Sequence, residues 1–501
     1  MRFAIIYPNL DGTPHSLDMG VAYLATYIDE RTDHQVKIID PTFHTRHWRD
    51  YMRKQVESFN PDVVGISVVS LYFDYARIIA RFVKTIRPVP IIVGGYHAMM
   101  NPDETAAVPD FDAICTGEGE HTLAEYLDRL SSGDGLQTVK GLWFKDGGVL
   151  VKNEKRPFND DLDSLPIPNY NLFDDIDNYL YYLGRLYVIG TRGCPYRCSF
   201  CAESVLDSSN PGRRYRERDP KNYVAEIEYL YRTYRNRGMK AAHVYDAVFT
   251  FNGSWFREWA EEYQKRGLHE VLPYTTFLKA DQRNASEDKL RLLAESGCLQ
   301  VRIGLESADQ GIREEVLNKK GNSPEITRKI LNTCNRYGMI VKTYCMIGIP
   351  GDTLSSIRKT YEFSKTPLIH VPLYFAYTPL PSTPLAERFQ SVHRTGGTER
   401  IYSYHFSRGA KNEGVPSWYV PWTLIKSYVY YGARLAWNIF LSNPVIFIPL
   451  MLSRIIKGLV FGAPPMISAG YALIHPRFWP GLSRLIRKRW LRSSRFRKSG
   501  T

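Results

Sequence analysis

The feature that most limits how this chain folds is a repeated alternation of short, unbroken apolar runs with amphipathic stretches. Between residues 1 and 130 the runs read RFAIIYP, QVKIID, DVVGISVVS, PIIVGG and FDAICTG, and the stretches among them read GVAYLATYIDE, DYARIIARFVKTI and TLAEYLDRL. Strands with no polar alternation are apolar on both faces, so they predict a doubly wound parallel sheet covered by helices on both sides. A second series, LYVIGT, AAHVYDAVF, YTTFLKAD, LQVRIGLES, VKTYCMIGIP and LYFAYTPLP, runs from about 185 to 385. Six such units predict a partial (β/α)6 or full TIM-type barrel, with chemistry at the carboxyl ends of the strands. Asp219 and Ser323, each followed by proline, mark helix starts, and Gly338 closes the second of those helices. Two such bodies suit a length of 501 residues, beyond what a single core serves.

A doubly wound sheet binds ligands at the carboxyl ends of its strands. There the sequence places SVVS (67–70), GGYHAMMNPDET (94–105) and TGEGEHT (116–122), in which Gly94, Gly95, Gly117 and Gly119 let backbone approach a large flat ligand. His97 reads as a loop hydrogen-bonder in preference to a metal ligand. A hairpin-like stretch, GLWFKDGGVLVKNEKRP, with its turn at Asp146 to Gly148, and the proline- and acid-rich NDDLDSLPIPNYNLF connect the two series.

Seven cysteines are too few for a disulfide scaffold and point to a reducing compartment. Three of them, Cys194, Cys198 and Cys201, sit in TRGCPYRCSFCAES just past the first barrel strand. A structural zinc site needs a fourth ligand, and no cysteine or histidine pair lies nearby to supply it. A four-iron cluster held by three thiolates keeps one iron open, which this spacing suits. Cys115, Cys298, Cys334 and Cys345 lie in apolar contexts and read as inert buried thiols.

The C-x3-C-x2-C spacing, with Phe200 before the last cysteine, is similar to the signature of radical S-adenosylmethionine (SAM) enzymes. The loops GGYHAMMNPDE and DAICTGEGE resemble the cobalamin-binding domain that precedes many of those barrels. RRYRERDP, DPKNYVAEIEYL and YTPLPSTPL are worded like the anaerobic Mg-protoporphyrin IX monomethyl ester cyclase subgroup. The resemblance covers about residues 1–390 and implies three cofactors: a 4Fe-4S cluster on Cys194, Cys198 and Cys201, SAM, and cobalamin. In the family the open iron chelates SAM, and one electron yields a 5'-deoxyadenosyl radical that abstracts hydrogen from an unactivated carbon. The implied SAM contacts are Phe200, Asp246, Arg302, Glu306, Gly348 and Pro350, with Gly351 beside them; Arg302 and Glu306 read equally as an ion pair inside the barrel. The implied cobalamin contacts are Ser67, Gly94, Gly95, His97, Gly117, Glu118, Gly119 and Glu120. The D-x-H-x-x-G signature is absent, because Asp40 and His44 are wrongly spaced, so no histidine of this chain is expected on cobalt. The arginines of 213–220 read either as a grip on an anion or as a solvated face.

No acidic residue follows Glu413, while residues 414–501 hold thirteen lysines and arginines, equal to the chain's whole formal excess of +13. Two uncharged stretches, Leu435 to Ser453 and Gly458 to Pro476, are barely long enough to span a bilayer, and prolines break both. The expectation is a tail lying on an anionic membrane surface at its cytoplasmic face, removable without loss of the barrel's chemistry; a helical cap on the barrel is the competing reading. The opening MRFAIIYPNL reads as a buried strand, not a signal peptide. Nucleic acid is not expected, for no RNA-binding module is present.

The expected organisation is a cobalamin-binding sheet over 1–135, a hairpin and linker over 136–184, a radical SAM barrel over 185–390 and a helical C-terminal region over 391–501. The expected activity is C-methylation or oxidative cyclisation of a hydrophobic, lipid-like substrate, with flavodoxin or ferredoxin as electron donor. Two alternatives remain: a radical SAM enzyme without bound cobalamin, and an iron-sulfur sensor with a basic partner-binding arm.

Overall fold

The computed structural model describes residues 1–14, 17–389, 412–461 and 475–498. The first sheet contains β1 (Arg2–Ile6), β2 (Gln35–Ile39), β3 (Val63–Ser67), β4 (Ile91–Gly94), β5 (Ala113–Cys115), β6 (Leu142–Asp146) and β7 (Val149–Lys152), in the order β2-β1-β3-β4-β5-β6-β7. Strands β1 to β5 run parallel, and β6 joins β5 antiparallel. Their apolar runs are buried on both faces in two core clusters, as the absence of alternation requires. The turn between β6 and β7 uses Gly147 and Gly148 at positive φ. The hairpin therefore extends the first sheet and does not stand apart in the connection.

The second sheet is wholly parallel, with β8 (Arg185–Val188) at one edge; β9 (Thr191–Arg192) and β10 (Arg216–Glu217) form a small antiparallel pair beside it. Then come β11 (Ala241–Val244), β12 (Tyr274–Phe277), β13 (Cys298–Glu306), β14 (Ile340–Ile347) and β15 (Val371–Ala376), in the order β8-β11-β12-β13-β14-β15. Neither β8 nor β15 pairs with the other, so this is the open, six-stranded form of the barrel.

Helices α1 (Met19–Arg31), α2 (Tyr96–Met100) and α3 (Gly119–Ser132) belong to the first body, and α4 (Glu203–Ser209), α5 (Pro220–Tyr234) and α6 (Pro324–Arg336) to the barrel. Asp219 accepts from the backbone N–H groups of Lys221 and Asn222, and Ser323 from that of Ile326. These bonds satisfy donors that a helix start otherwise leaves open. Val224, Ile227 and Leu230 of α5 share its buried face.

The tail forms α7 (Tyr419–Ser442), α8 (Pro444–Phe461) and α9 (Trp479–Lys498), the first two divided at Asn443 and Pro444. Most of the second uncharged stretch lies outside the described residues. Leu435, Ile439, Phe447, Phe478, Trp479, Leu482 and Ile486 pack with Ala241, Ile340 and Val371 at the starts of three barrel strands. Further along α7, Tyr431 stacks on Tyr374 of β15, and its hydroxyl meets Ser364 Oγ at 2.5 Å. The tail thus closes the amino-terminal end of the barrel, which corrects the expectation of a removable appendage. No described helix is long and apolar enough to cross a membrane.

Candidate active site at the barrel mouth

Cys194, Cys198 and Cys201 lie on the loop that follows β9, none in a disulfide and all three partly buried. The loop is fastened from several directions. Ser199 donates its N–H to Leu317 O at 3.0 Å and its hydroxyl to Val316 O at 2.6 Å, Asn318 Nδ2 donates to Arg197 O at 2.6 Å, and Leu385 N–H donates to Ser199 O at 2.9 Å. Phe200 packs beside Ile349, Leu317 and Leu385. Burial raises the Cys198 thiol, while the charges of Lys319 and Lys279 pull it down. Burial and then Glu203 raise Cys201, whose thiol also feels those of Cys198 and Cys194. Among the described residues no three such groups converge on a single metal ion. Three mutually sensing thiols on one pinned loop, set apart from one another and beside two lysines, suit a multi-iron cluster, which spaces its ligands and carries negative charge.

Two basic side chains that sequence reasoning missed frame this loop. Lys319 Nζ lies 2.9 Å from Glu306 Oε1 and donates to Gly304 O at 2.6 Å. Lys279 Nζ sits 3.0 Å from the centre of the Tyr196 ring, and the Tyr196 hydroxyl donates to Asp281 Oδ2 at 2.7 Å. Glu306 takes a φ of +57° where the β13 pairing shifts register, a strained conformation for a residue with a side chain. It pairs with Lys319, not with Arg302, so the Arg302–Glu306 ion pair does not form. Arg302 lies deeper, with Nε donating to Thr275 Oγ1 at 3.2 Å. It stands four residues before Glu306 on the same strand, away from the cysteine loop.

Asp246 corrects a second expectation. It is fully buried, its Oδ1 accepts from Gly190 N–H at 3.0 Å, and its Oδ2 accepts from the Tyr223 hydroxyl at 3.0 Å. Burial pushes its carboxyl up to about 6. With both oxygens taken, it positions the backbone that leads into the cysteine loop and does not reach into the mouth. At the end of β14, Gly348 and Gly351 take φ of +70° and +85°. Around Pro350, Ile349 N–H donates to Asp352 Oδ2 at 3.0 Å, Gly351 N–H donates to Asn412 Oδ1 at 2.8 Å, and Asn412 Nδ2 donates to Ile349 O at 2.8 Å.

The carboxyl edge of the first sheet faces this mouth. Ser67 ends β3 and Gly94 ends β4; α2, which follows Gly95, packs on α4, and Ser382 Oγ donates to Met100 O at 2.8 Å. Gly95 takes a φ of +96°, and a Cβ there would stand 2.8 Å from Val68 O. At Gly117 a Cβ would meet Asn210 Nδ2 at 2.3 Å, and at Gly119 it would meet Leu24 Cδ2 at 2.8 Å. These three glycines are therefore demanded by contacts within the protein. Glu118 and Glu120 are likewise committed: Arg192 reaches Glu118 at 3.0 Å and Glu120 at 2.6 Å, and Arg216 reaches Glu118 at 2.9 Å. Although burial opposes it, Arg192 and Arg216 hold the Glu118 carboxyl below the usual range. These acids tie the sheet to the barrel. Arg218 bonds Glu226 of α5 at 2.5 Å and Asp163 of the connecting segment at 3.3 Å. So Arg216 and Arg218 of the arginine-rich run neither grip an anion nor lie solvated.

His97 is wholly buried, with Nδ1 3.0 Å from Ser70 Oγ and its ring stacked on Phe73 at 4.0 Å. His44 Nε2 is held by Asp175 at 2.8 Å. Neither imidazole is presented at the sheet edge. The facing edge, with Tyr96 half exposed beyond Gly95, suits a flat ligand whose metal takes no protein nitrogen.

Two facing bodies, a doubly wound sheet and an open barrel with a three-thiol loop at its mouth, define a cofactor enzyme that works between their carboxyl edges. Residues 188–364 match the radical SAM superfamily, and residues 13–127 match the B12 binding domain. An uncharacterized methyltransferase of Pyrococcus horikoshii, PH0819, is 31% identical over 350 residues, covering 69% of this chain and 72% of that protein. The anaerobic magnesium-protoporphyrin IX monomethyl ester cyclase of Rubrivivax gelatinosus is 26% identical over 380 residues, covering 73% of this chain and 66% of that one. Among solved structures, the cobalamin-dependent SAM radical enzyme OxsB with aqua-cobalamin superposes with a TM-score of 0.69 at 15% identity, covering 99% of this chain and 80% of that one. The radical SAM methyltransferase TsrM of Kitasatospora setae, with cobalamin and an iron-sulfur cluster bound, gives 0.65 at 18%, covering 78% and 74%. The chain belongs to the radical SAM superfamily, in the branch whose barrel follows a B12-binding domain. It is an enzyme, and its cofactors are a 4Fe-4S cluster, SAM and cobalamin.

Proposed function

We propose that this enzyme methylates an unactivated carbon of an apolar substrate held in the barrel lumen. The observation that carries the reading is the opposition of the two sites: the cysteine loop and the carboxyl edge of the B12-binding sheet face each other across the Ser382–Met100 contact and the α2–α4 packing. When bound, the cofactors supply one-electron cleavage of SAM and methyl transfer. Cys194, Cys198 and Cys201 hold the cluster, with Lys319 and Lys279 countering its charge. Glu306 and the Gly348–Gly351 turn border the SAM site, and Phe200 packs behind it. Tyr245, Phe277, Tyr344 and Phe375 line the lumen in sequence, with ring centres 5.4 to 6.1 Å apart, and shield a reacting carbon from water.

The relatives named as methyltransferases support methyl transfer over ring closure. Flavodoxin or ferredoxin suits the reducing role. Anaerobically reconstituted enzyme should hold iron and sulfide for one 4Fe-4S cluster, retain cobalamin, and release 5'-deoxyadenosine from SAM on reduction. Cys198→Ala should lose the iron and that release together. Cobalamin carrying a labelled methyl from SAM supports methylation; failure of the intact enzyme to retain cobalamin would sink it.

A further inference from the structure

Below the aromatic rings the lumen holds a cluster of buried basic side chains that the reading above does not use. Arg302 and Lys342 are direct partners across β13 and β14, and His243 is a direct partner of Tyr187 and of Thr275. Arg185 starts β8, two residues before Tyr187. All four are buried: Arg185 is 4% exposed, His243 0%, Arg302 6% and Lys342 7%. No carboxylate lies within ion-pair distance of any of them among the described residues, whereas Arg216, Arg218 and Lys319, buried to a similar degree, each have one. Both nitrogens of His243, and Nε of Arg185, have no hydrogen-bond partner. Arg302 spends Nε on Thr275 at 3.2 Å and reaches only the Tyr344 hydroxyl, at 3.5 Å, with Nη1. Burial lowers the pKa of His243 and of Lys342, and the charges that act on them, Arg302 and Arg185 on both and Lys342 on His243, are all positive.

Burial and mutual repulsion favour the neutral forms of His243 and Lys342, and an anion seated among the four bases would restore their protons and complete Arg185 and Arg302. Beneath, Ala241, Ile340 and Val371 pack against Leu435, Ile439, Phe478 and Trp479 of the tail. Above lie Tyr187 at 4.7 Å from His243, Tyr245 at 4.9 Å, and Phe277 at 5.9 Å, then Tyr344 and Phe375, of which Tyr245 is exposed toward the mouth. We propose that this floor is an oxyanion seat: the substrate enters with a phosphate, phosphonate or carboxylate end that lodges among Arg185, His243, Arg302 and Lys342, while its apolar body lies against the rings. Charge-assisted hydrogen bonds from a guanidinium fork and an ammonium suit such a group. The seat fixes how deep the substrate sits, and so which carbon stands at the mouth. It rests on the proposed function only in naming the substrate's place.

Calorimetric titration of the holoenzyme with phenylphosphonate, a single ring on a dianionic head, tests the seat at fixed ionic strength in chloride. Stoichiometric binding is expected, with none for benzyltrimethylammonium, which carries the same ring on a cation. Lys342→Met should weaken phenylphosphonate at least tenfold, and Lys342→Arg should recover most of the loss, as a bulk-charge requirement predicts. Absence of binding by the wild type, or affinity unchanged in Lys342→Met, overturns the proposal. Thermal unfolding without the ligand gives a second reading. Removing a buried basic group that has no carboxylate partner should leave Lys342→Met at least as stable as wild type, whereas a lower melting temperature means that the amine serves the fold itself, and the seat falls. SAM cleavage by the wild type, measured apart, decides the proposed function whichever way the titration ends.

Discussion

At the scale of single residues, Glu306 at the mouth and Asp246 behind the cysteine loop are held in different ways. Glu306 pairs with Lys319, both largely buried, at a strand end where a Cβ on Gly304 would stand 2.3 Å from Glu306 Oε1 and 2.7 Å from Lys319 Nζ. Breaking such a pair strands a buried charge, at a cost of about 3 kcal/mol, while replacing both partners by neutral groups costs less. Urea unfolding of cofactor-free protein should therefore show Lys319→Met as strongly destabilised, and Lys319→Met with Glu306→Gln as partly recovered; equal losses would mean that the two side chains do not act as a pair. Asp246 carries no charged partner, and burial raises its pKa from 3.8 to about 6. A raised carboxyl favours folding below its unfolded pKa, and that favour is lost as pH rises through the folded value. Between pH 4 and pH 8 the ionised form accordingly comes to cost the fold about 3 kcal/mol. Asp246→Asn lacks this dependence. Its stability relative to wild type should climb over that interval, and a difference flat in pH would show that Asp246 titrates normally.

Secondary-structure elements were far more legible than the contacts between them. Each buried strand announces itself by an unbroken apolar run, and the helix starts at Asp219 and Ser323 by a capping side chain followed by proline, because those signals are local. The cysteine loop was legible for the same reason. Glu118 and Glu120 were misread as ligand contacts because an acid in a glycine-rich loop looks the same whatever it faces. Their partners stand 72 to 98 residues away, on the two strands flanking the cysteine loop. Asp246 likewise turned inward to Gly190 and Tyr223, which no spacing along one strand reveals. Lys319 carries no signal in sequence, since it becomes significant only when the chain after β13 folds back on Glu306. The lumen cations escaped notice because each stands alone on its own strand, and only the register of the sheet brings them together.

For the whole molecule, the tail is where structure most changes the experiment. Removing residues 416–501 would uncover Ala241, Ile340, Val371 and Tyr374, and each large apolar side chain returned to water costs about 1.5 to 3 kcal/mol. Truncation is thus expected to lose the cluster along with the fold, and cannot report on membrane binding. Yet the tail's outer face still asks for a partner. Trp418 at the cap of α7 and Trp422, Ile425 and Val429 within it recur at helical spacing and are 52 to 65% exposed; Val445, Ile448, Leu452 and Ile456 recur likewise on α8 and are 53 to 83% exposed. No acidic residue follows Glu413, and residues 414–501 hold thirteen lysines and arginines, a composition suited to an anionic lipid surface. We propose that these two faces rest on such a surface, through which an apolar substrate would reach the barrel. Replacing Trp422, Ile425 and Val429 together by Gln leaves the packed side of α7 intact, so the variant should keep its cluster and its cleavage of SAM. It should also lose flotation with vesicles containing phosphatidylglycerol. Wild-type binding should weaken, without vanishing, as salt shortens the Debye length from about 10 Å at 0.1 M to about 3 Å at 1 M, because the apolar part is not screened. Flotation unchanged in the triple variant, or none in the wild type at low salt, would assign these faces to another protein instead of a membrane.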